Sequence, residues 1–169
     1  MIDLTVTNVI DVLADFVEPI AGECKQAQAN RVPMGKGQFC ILTPLRFERL
    51  STTRSINQDT GAPSTSAMGW TEVRRADIQV DIYGPNAGGR AITLETVFSS
   101  GYAYDLIKAI DARVAPLYST AAIQAPMIDA EQQWQERYTL TVSLQVHMTA
   151  SFPQDYFDKA EIKAEPVDL

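Results

Sequence analysis

The sequence predicts an α+β fold: a two-layer sandwich in which two helices pack on a mainly antiparallel or mixed sheet of about four strands, with a long loop or hairpin arm. Three observations carry this expectation. Residues 6–20 place apolar side chains at three- and four-residue steps, residues 75–83 and 138–148 alternate apolar with polar, and a second helical pattern lies between those strands. Strands with one wet face belong to a sheet that helices cover on its other side only.

Each element follows from its own stretch. Val6, Val9, Ile10, Leu13, Phe16, Val17 and Ile20 form one face of an amphipathic helix that Pro19 and Gly22 help to end. A polar connector, GECKQAQANRVPMGKG, leads to QFCILTPLRFERLSTT, which reads as one or two strands interrupted at Pro44. Residues 54–69 are rich in Ser, Thr, Gly and Pro without an apolar period, predicting a mobile loop or hairpin arm suited to touching a partner. In RADIQVDIYG, Ala76, Ile78, Val80 and Ile82 point one way, and Arg75, Asp77, Gln79, Asp81 and Tyr83 the other. After a turn, RAITLETVFSSGYAYDLIKAIDARVAPL reads as helix. Its stripe is Leu94, Val97, Phe98, Leu106, Ile107, Ile110 and Val114, with a kink at Ser99-Ser100-Gly101. Residues 118–136 give only a loop or short strand. YTLTVSLQVHMTAS then provides the cleanest alternation, with Tyr138, Leu140, Val142, Leu144, Val146 and Met148 on one face. Residues 1–158 read as a single domain and 159–169 as an extended, charged tail.

At 169 residues the chain can bury a core without cross-links. No apolar run approaches the roughly 18 residues that span a bilayer. The N-terminus carries aspartates rather than the basic start of a secretory signal, so folding in the cytosol and no membrane partner are expected. In that compartment Cys40, inside an apolar strand pattern, reads as a buried free thiol rather than as the partner of Cys24. The formal net charge of −7 argues against a protein that grips nucleic acid, which needs clustered Lys and Arg. A surface that DNA slides past is compatible with it.

The stretch GPNAGGRA, residues 84–91, has the glycine spacing of a phosphate-binding loop between a strand and a helix. Such a loop continues with Lys, which reaches the terminal phosphates, and Ser or Thr, which holds magnesium. Here Arg90 and Ala91 occupy those positions, and alanine cannot ligate a metal. The stretch therefore reads as a tight turn whose glycines let the chain enter the helix with its first N–H groups free. His147 is the sole histidine, and no His-x-x-x-His, Cys-x-x-Cys or nucleophile elbow occurs. No catalytic residue, metal site or cofactor is expected, and the chain reads as non-enzymatic.

What remains is surface. Arg46, Arg49, Arg54, Arg74 and Arg75 are interleaved with Glu48 and Glu72, which fits either a solvated, self-compensating sheet face or a self-complementary subunit boundary. Asp77 and Asp81 share the wet face of one strand about 13 Å apart, too far for a two-carboxylate site by themselves. They read as solvated or subunit-contact charges. Trp70 and Trp134 flank the two best strands and could cap the core or anchor an interface. Tyr156 and Phe157, in SFPQDYFDKAEI, either fold back on the domain or dock on a neighbour.

Three segments taken in order go further: RVPMGKGQFCILTPLRFERLSTT, EVRRADIQVDIYGPNAGGRAITLETVFSSGYAYDLI and QERYTLTVSLQVHMTASFPQDYFD. Over roughly residues 31–158 this arrangement resembles the neck and tail terminator family of long-tailed bacteriophages. It combines a strand ending in an Asp-Ile-Tyr-Gly-Pro turn, a helix, and a late alternating strand with an aromatic-acidic tail. The resemblance implies a cofactor-free structural protein of the virion neck, assembled in the host cytoplasm as a homo-hexameric ring. That ring would cap the head-proximal end of the tail tube, stop its polymerisation and meet the head–tail connector. The tail tube protein, and possibly a sheath protein, are the implied partners, with phage DNA passing through the lumen without specific binding. Two alternatives stand beside it: a head-completion protein at the portal, and a small hydrolase or nucleotide-binding domain.

Overall fold

The computed structural model describes residues 2–28, 35–58, 60–61, 65–128 and 132–154. Tyr156, Phe157 and the tail 159–169 lie outside the described residues.

Helix α1 spans Val6–Ala21. Thr5 caps it: its hydroxyl accepts from the Asn8 N–H at 3.2 Å while Asn8 Oδ1 accepts from the Thr5 N–H at 3.0 Å. Gly22 ends the helix in a positive-φ conformation, as the sequence predicts, and Pro19 is held within the last turn. Val9, Ile10, Val12, Leu13, Phe16 and Val17 are buried.

The polar connector hides a strand. Strand β1, Glu23–Gln26, pairs in parallel with β2, Phe39–Arg49. This register sets Cys24 opposite Cys40 at a Cα separation of 4.7 Å, and the two form a disulfide. The expectation of a free Cys40 thiol is thereby corrected. No pattern in four mostly polar residues announces the strand that brings the partner alongside.

Of the expected loop or hairpin arm at 54–69, the described residues include two paired strands. Strand β3, Arg54–Gln58, turns back antiparallel onto the start of β4, which runs from Ala67 to Tyr83. Strand β4 pairs without interruption along β9, Arg137–Pro153, from Ala67↔Pro153 to Tyr83↔Arg137. At about 3.4 Å per residue this two-stranded spine is over 50 Å long. The alternation read from both strands is borne out on the core side: Ala76, Ile78, Val80 and Ile82 share one face with Leu140, Val142, Leu144 and Val146, all buried.

The predicted long helix is two helices. Helix α2, Ala87–Phe98, ends at Ser99, and Ser100 caps α3, Gly101–Ile110, by accepting from the Ala103 N–H. Only Ala103 and Ile107 of α3 are buried, so Leu106 and Ile110 are not core residues. Val114 is buried, but as the first residue of strand β5, Val114–Ser119. Phe16 of α1 meets Phe98 of α2 edge-on at 6.1 Å, fastening the helices over the sheet.

The short strand β6, Ile123–Gln124, pairs with β9, while β7, Met127–Ile128, and β8, Trp134–Gln135, pair with each other. Among the described residues the main sheet thus has seven strands, β1-β2-β4-β9-β5 with β3 added to β4 and β6 to β9. The α+β class and mixed sheet match expectation. The strands are more numerous because several are too short to show a period.

Two bulges decide which side chains reach the open face. Pro44 opposes Ile78 on the core side, yet Arg46 opposes Asp77, so Leu45 is an extra residue. Likewise Pro116 opposes Leu144 while Tyr118 opposes Ser143, with Leu117 extra. A one-residue insertion exchanges the faces of everything after it. Were Leu45 paired in the ladder instead of bulged out of it, Arg46 would enter the core and Phe47 would leave it.

Candidate assembly surfaces

The turn after β4 is built from inside. Gly84 adopts φ +90, and a Cβ there would collide with the Gly37 carbonyl. Arg90 is buried, donating from Nη2 to the Tyr83 and Pro85 carbonyls at 2.6 and 3.2 Å and from Nη1 to the Ala21 carbonyl. This guanidinium ties the end of α1, the end of β4 and the turn together. The start of α2 is not left free as expected, because Gly88 N–H donates to Glu136 Oε1 at 3.1 Å. A carboxylate of the chain itself thus stands where a helix N-terminus would favour an anion.

The face of the sheet away from the helices carries an ion network drawn from four strands, β2, β4, β5 and β9. Asp77 accepts from Arg46 Nε at 2.5 Å and from the Ser143 hydroxyl at 2.6 Å, and Arg75 Nε lies 3.2 Å away. Arg75 reaches Glu48 at 2.5 Å, and its Nη1 donates to the Tyr118 hydroxyl at 3.3 Å. One repeat along, Asp81 accepts from Arg137 Nη2 at 2.8 Å and from the Gln79 amide at 2.9 Å. Three guanidinium groups thus meet three carboxylates. Asp77 and Asp81 are 6% and 3% exposed, which corrects their reading as solvated charges. The arginines of neighbouring strands lie over them. At the end of this face Tyr83 stacks on Phe39 at 4.7 Å, and the Arg137 guanidinium sits 5.6 Å from the Tyr83 ring centre.

The remaining predicted residues sit elsewhere. Arg74 is one residue from Arg75 and so on the opposite, helix-side face. With Arg49 it grips Glu72, at 2.7 and 2.8 Å, and Thr53 donates to the same carboxylate at 2.7 Å. Arg74 and Arg75 are therefore largely enclosed in separate ion clusters, not exposed side by side. Arg54 is exposed on the arm, and Trp70, also half open, packs against Phe152 at 5.8 Å between ring centres. The structure brings Arg46, Arg75, Asp77 and Asp81 together on one face, and Arg49, Trp70 and Arg74 on the other.

Residues the sequence did not single out enlarge these surfaces. Beyond α1, on the helix-side face, Ile2, Val6, Phe47, Trp70, Met148 and Ala150 line a groove of about 500 Å³ with Glu72 and Arg74 at its rim. On α3, Tyr102, Leu106 and Ile110 are 63%, 39% and 42% exposed at four-residue spacing, making an apolar stripe on the outside of the helix layer. The helical period that misassigned Leu106 and Ile110 to the core was itself the signal for this stripe. Trp134 is 73% exposed. Among the described residues, no group of three or more His, Cys, Asp or Glu is placed to hold a metal ion, and no helix is long and apolar enough to cross a membrane.

A family profile described as phage neck terminator protein matches residues 7–167. The chain belongs to that family. Among curated proteins, none matches it. The match spans every element from α1 onward, beyond the 31–158 on which the resemblance rested. A neck terminator has a structural role in the phage tail and neck. The features that matter here are therefore faces, grooves and stripes that can meet other protein chains.

Proposed function

We propose that this neck terminator closes into a hexameric ring on the head-proximal end of the tail tube, stops the tube from growing and joins it to the head connector. Family membership carries this reading, and the distribution of surfaces supports it. The apolar groove beyond α1 and the stripe on α3 are two unlike patches, as a heterologous contact repeated around a closed ring needs. The residues expected to mark interfaces, Arg46, Arg49, Arg54, Trp70, Arg74, Arg75, Asp77 and Asp81, rim these surfaces or stiffen the sheet beneath them. Six copies at −7 each sum to −42, a charge that lets a DNA backbone pass through a lumen without sticking.

The deciding experiment is assembly of tails without this protein. Tube lengths spread beyond the normal value and no head attachment are expected, with both restored by adding the purified protein. Tails of normal length in its absence would overturn the reading. Negative-stain imaging with native mass spectrometry of the purified protein tests the ring itself.

A further inference from the structure

We propose that the groove beyond α1 receives the C-terminal segment, residues 155–169, of a neighbouring copy of this chain. The identity of the neighbour rests on the ring reading above. The segment's fit to the groove rests on the observations that follow.

Among the described residues, the groove is the part of the helix-side sheet face that only the start of α1 reaches. Its floor is apolar, from Ile2, Phe47, Met148 and Ala150, and Trp70 forms one wall. Val6 is 40% exposed there although it begins an otherwise buried helical stripe. At the rim Arg74 pairs with Glu72, and Arg49 also holds the Glu72 carboxylate, so two guanidinium groups meet one carboxylate there.

The segment is complementary in both respects. Its 15 residues include Tyr156, Phe157, Ile162, Val167 and Leu169, with five acidic residues against Lys159 and Lys163. Fully extended, it reaches about 50 Å. Its direction of departure favours a neighbour's groove over its own. Pro153 pairs with Ala67 at the tip of the β4–β9 spine, and the Gln154 N–H still donates to the Ser66 carbonyl at 3.0 Å. The chain is thus still travelling outward when it enters the segment, away from Met148 and Ala150 behind it on the same strand.

Trp70 provides the readout, because Trp134→Phe leaves it as the sole tryptophan and Trp134 is mostly exposed. A synthetic peptide of residues 155–169 is added to the full-length Trp134→Phe/Tyr156→Ala/Phe157→Ala protein. A saturable shift of Trp70 emission to shorter wavelength is expected. The shift should be lost when Ala150→Arg fills the groove, or when the peptide carries alanine for Tyr156 and Phe157. No shift, or one that survives Ala150→Arg, overturns the proposal.

Mixing then separates neighbour from self. Full-length Tyr156→Ala/Phe157→Ala has an intact groove, and full-length Ala150→Arg has an intact segment. A one-to-one pair in native mass spectrometry that neither variant forms by itself is expected. Peptide binding without that pair would show the segment folding back on its own subunit, and would overturn the exchange between copies. Rings of Tyr156→Ala/Phe157→Ala at undiminished yield would likewise sink this proposal and leave the ring reading standing. Normal tail length without the protein would do the reverse.

Discussion

Asp77 is a carboxylate whose surroundings oppose one another. Burial pushes its pKa up, but the hydrogen bonds from Ser143 and Arg46 and the charge of Arg75 outweigh this and hold it below the ordinary aspartate value. Glu72 is likewise held down, chiefly by the Thr53 hydroxyl and then, against burial, by Arg74 and Arg49. Asp111 is lowered by the hydrogen bond from Arg113. A depressed folded-state pKa contributes stability that is complete above the unfolded value, near 4, and is lost as pH falls through the lower folded value. Thermal midpoints should therefore stay level from pH 7 to about 5 and drop below about 4. Replacing Asp77 by Asn should lower unfolding free energy in urea by about 1–3 kcal/mol and flatten that acid limb. An unaltered urea midpoint would show that the network contributes nothing net. The alternation of β4 disclosed that Asp77 and Asp81 leave the core. It could not disclose their burial, because the covering guanidiniums come from Arg46 on β2 and Arg137 on β9.

The bulges act at the scale of whole strands. Leu45 is 52% exposed, so its side chain contributes little, and its exclusion from the ladder keeps every β2 residue after Pro44 on its observed face. Leu45→Ser should change stability by no more than about 0.5 kcal/mol. Deleting Leu45 should also leave the protein folded, because Arg46 and Phe47 then follow Pro44 in an unbulged ladder and keep Asp77 and Ala76 as partners. Circular dichroism of the two variants checks both outcomes, and an unfolded deletion variant would show that the local twist of the bulge is itself required. The disulfide acts on the same edge of the sheet. Cys24 and Cys40 are 16 positions apart, and for a loop of that size reduction should cost about 3 kcal/mol on the chain-entropy account. Chemical denaturation with and without reductant measures it. The elements that were legible, α1, β4 and β9, each repeat an apolar period over many residues. Those that were not, β1 and β6 to β8, have four residues or fewer, and their pairing is decided by distant strands. Ser99-Ser100-Gly101 did signal an interruption, but read as a kink it left Val114 in a helix when a cap, a second helix and a strand follow.

For the molecule as a whole, the question is which surfaces are committed to itself and which remain for other chains. The open-face charges are balanced within the subunit, three cations against three anions, so they stiffen the sheet more than they attract a partner. The stripe on α3 is different: Tyr102, Leu106 and Ile110 cover no part of the core, while Ala103 and Ile107 on the same helix do. Burying two such side chains in a contact contributes about 1.5–3 kcal/mol each. Replacing Tyr102 and Leu106 together by Ser should accordingly weaken that contact by at least two orders of magnitude. Because neither side chain supports the core, the urea midpoint should move by less than about 1 kcal/mol for the pair. The check is incorporation of the double variant into tails assembled in its presence, measured alongside its stability. Loss of incorporation with stability intact places α3 in an interface. Normal incorporation would remove α3 from the assembly and leave the groove and the hairpin arm to make the contacts.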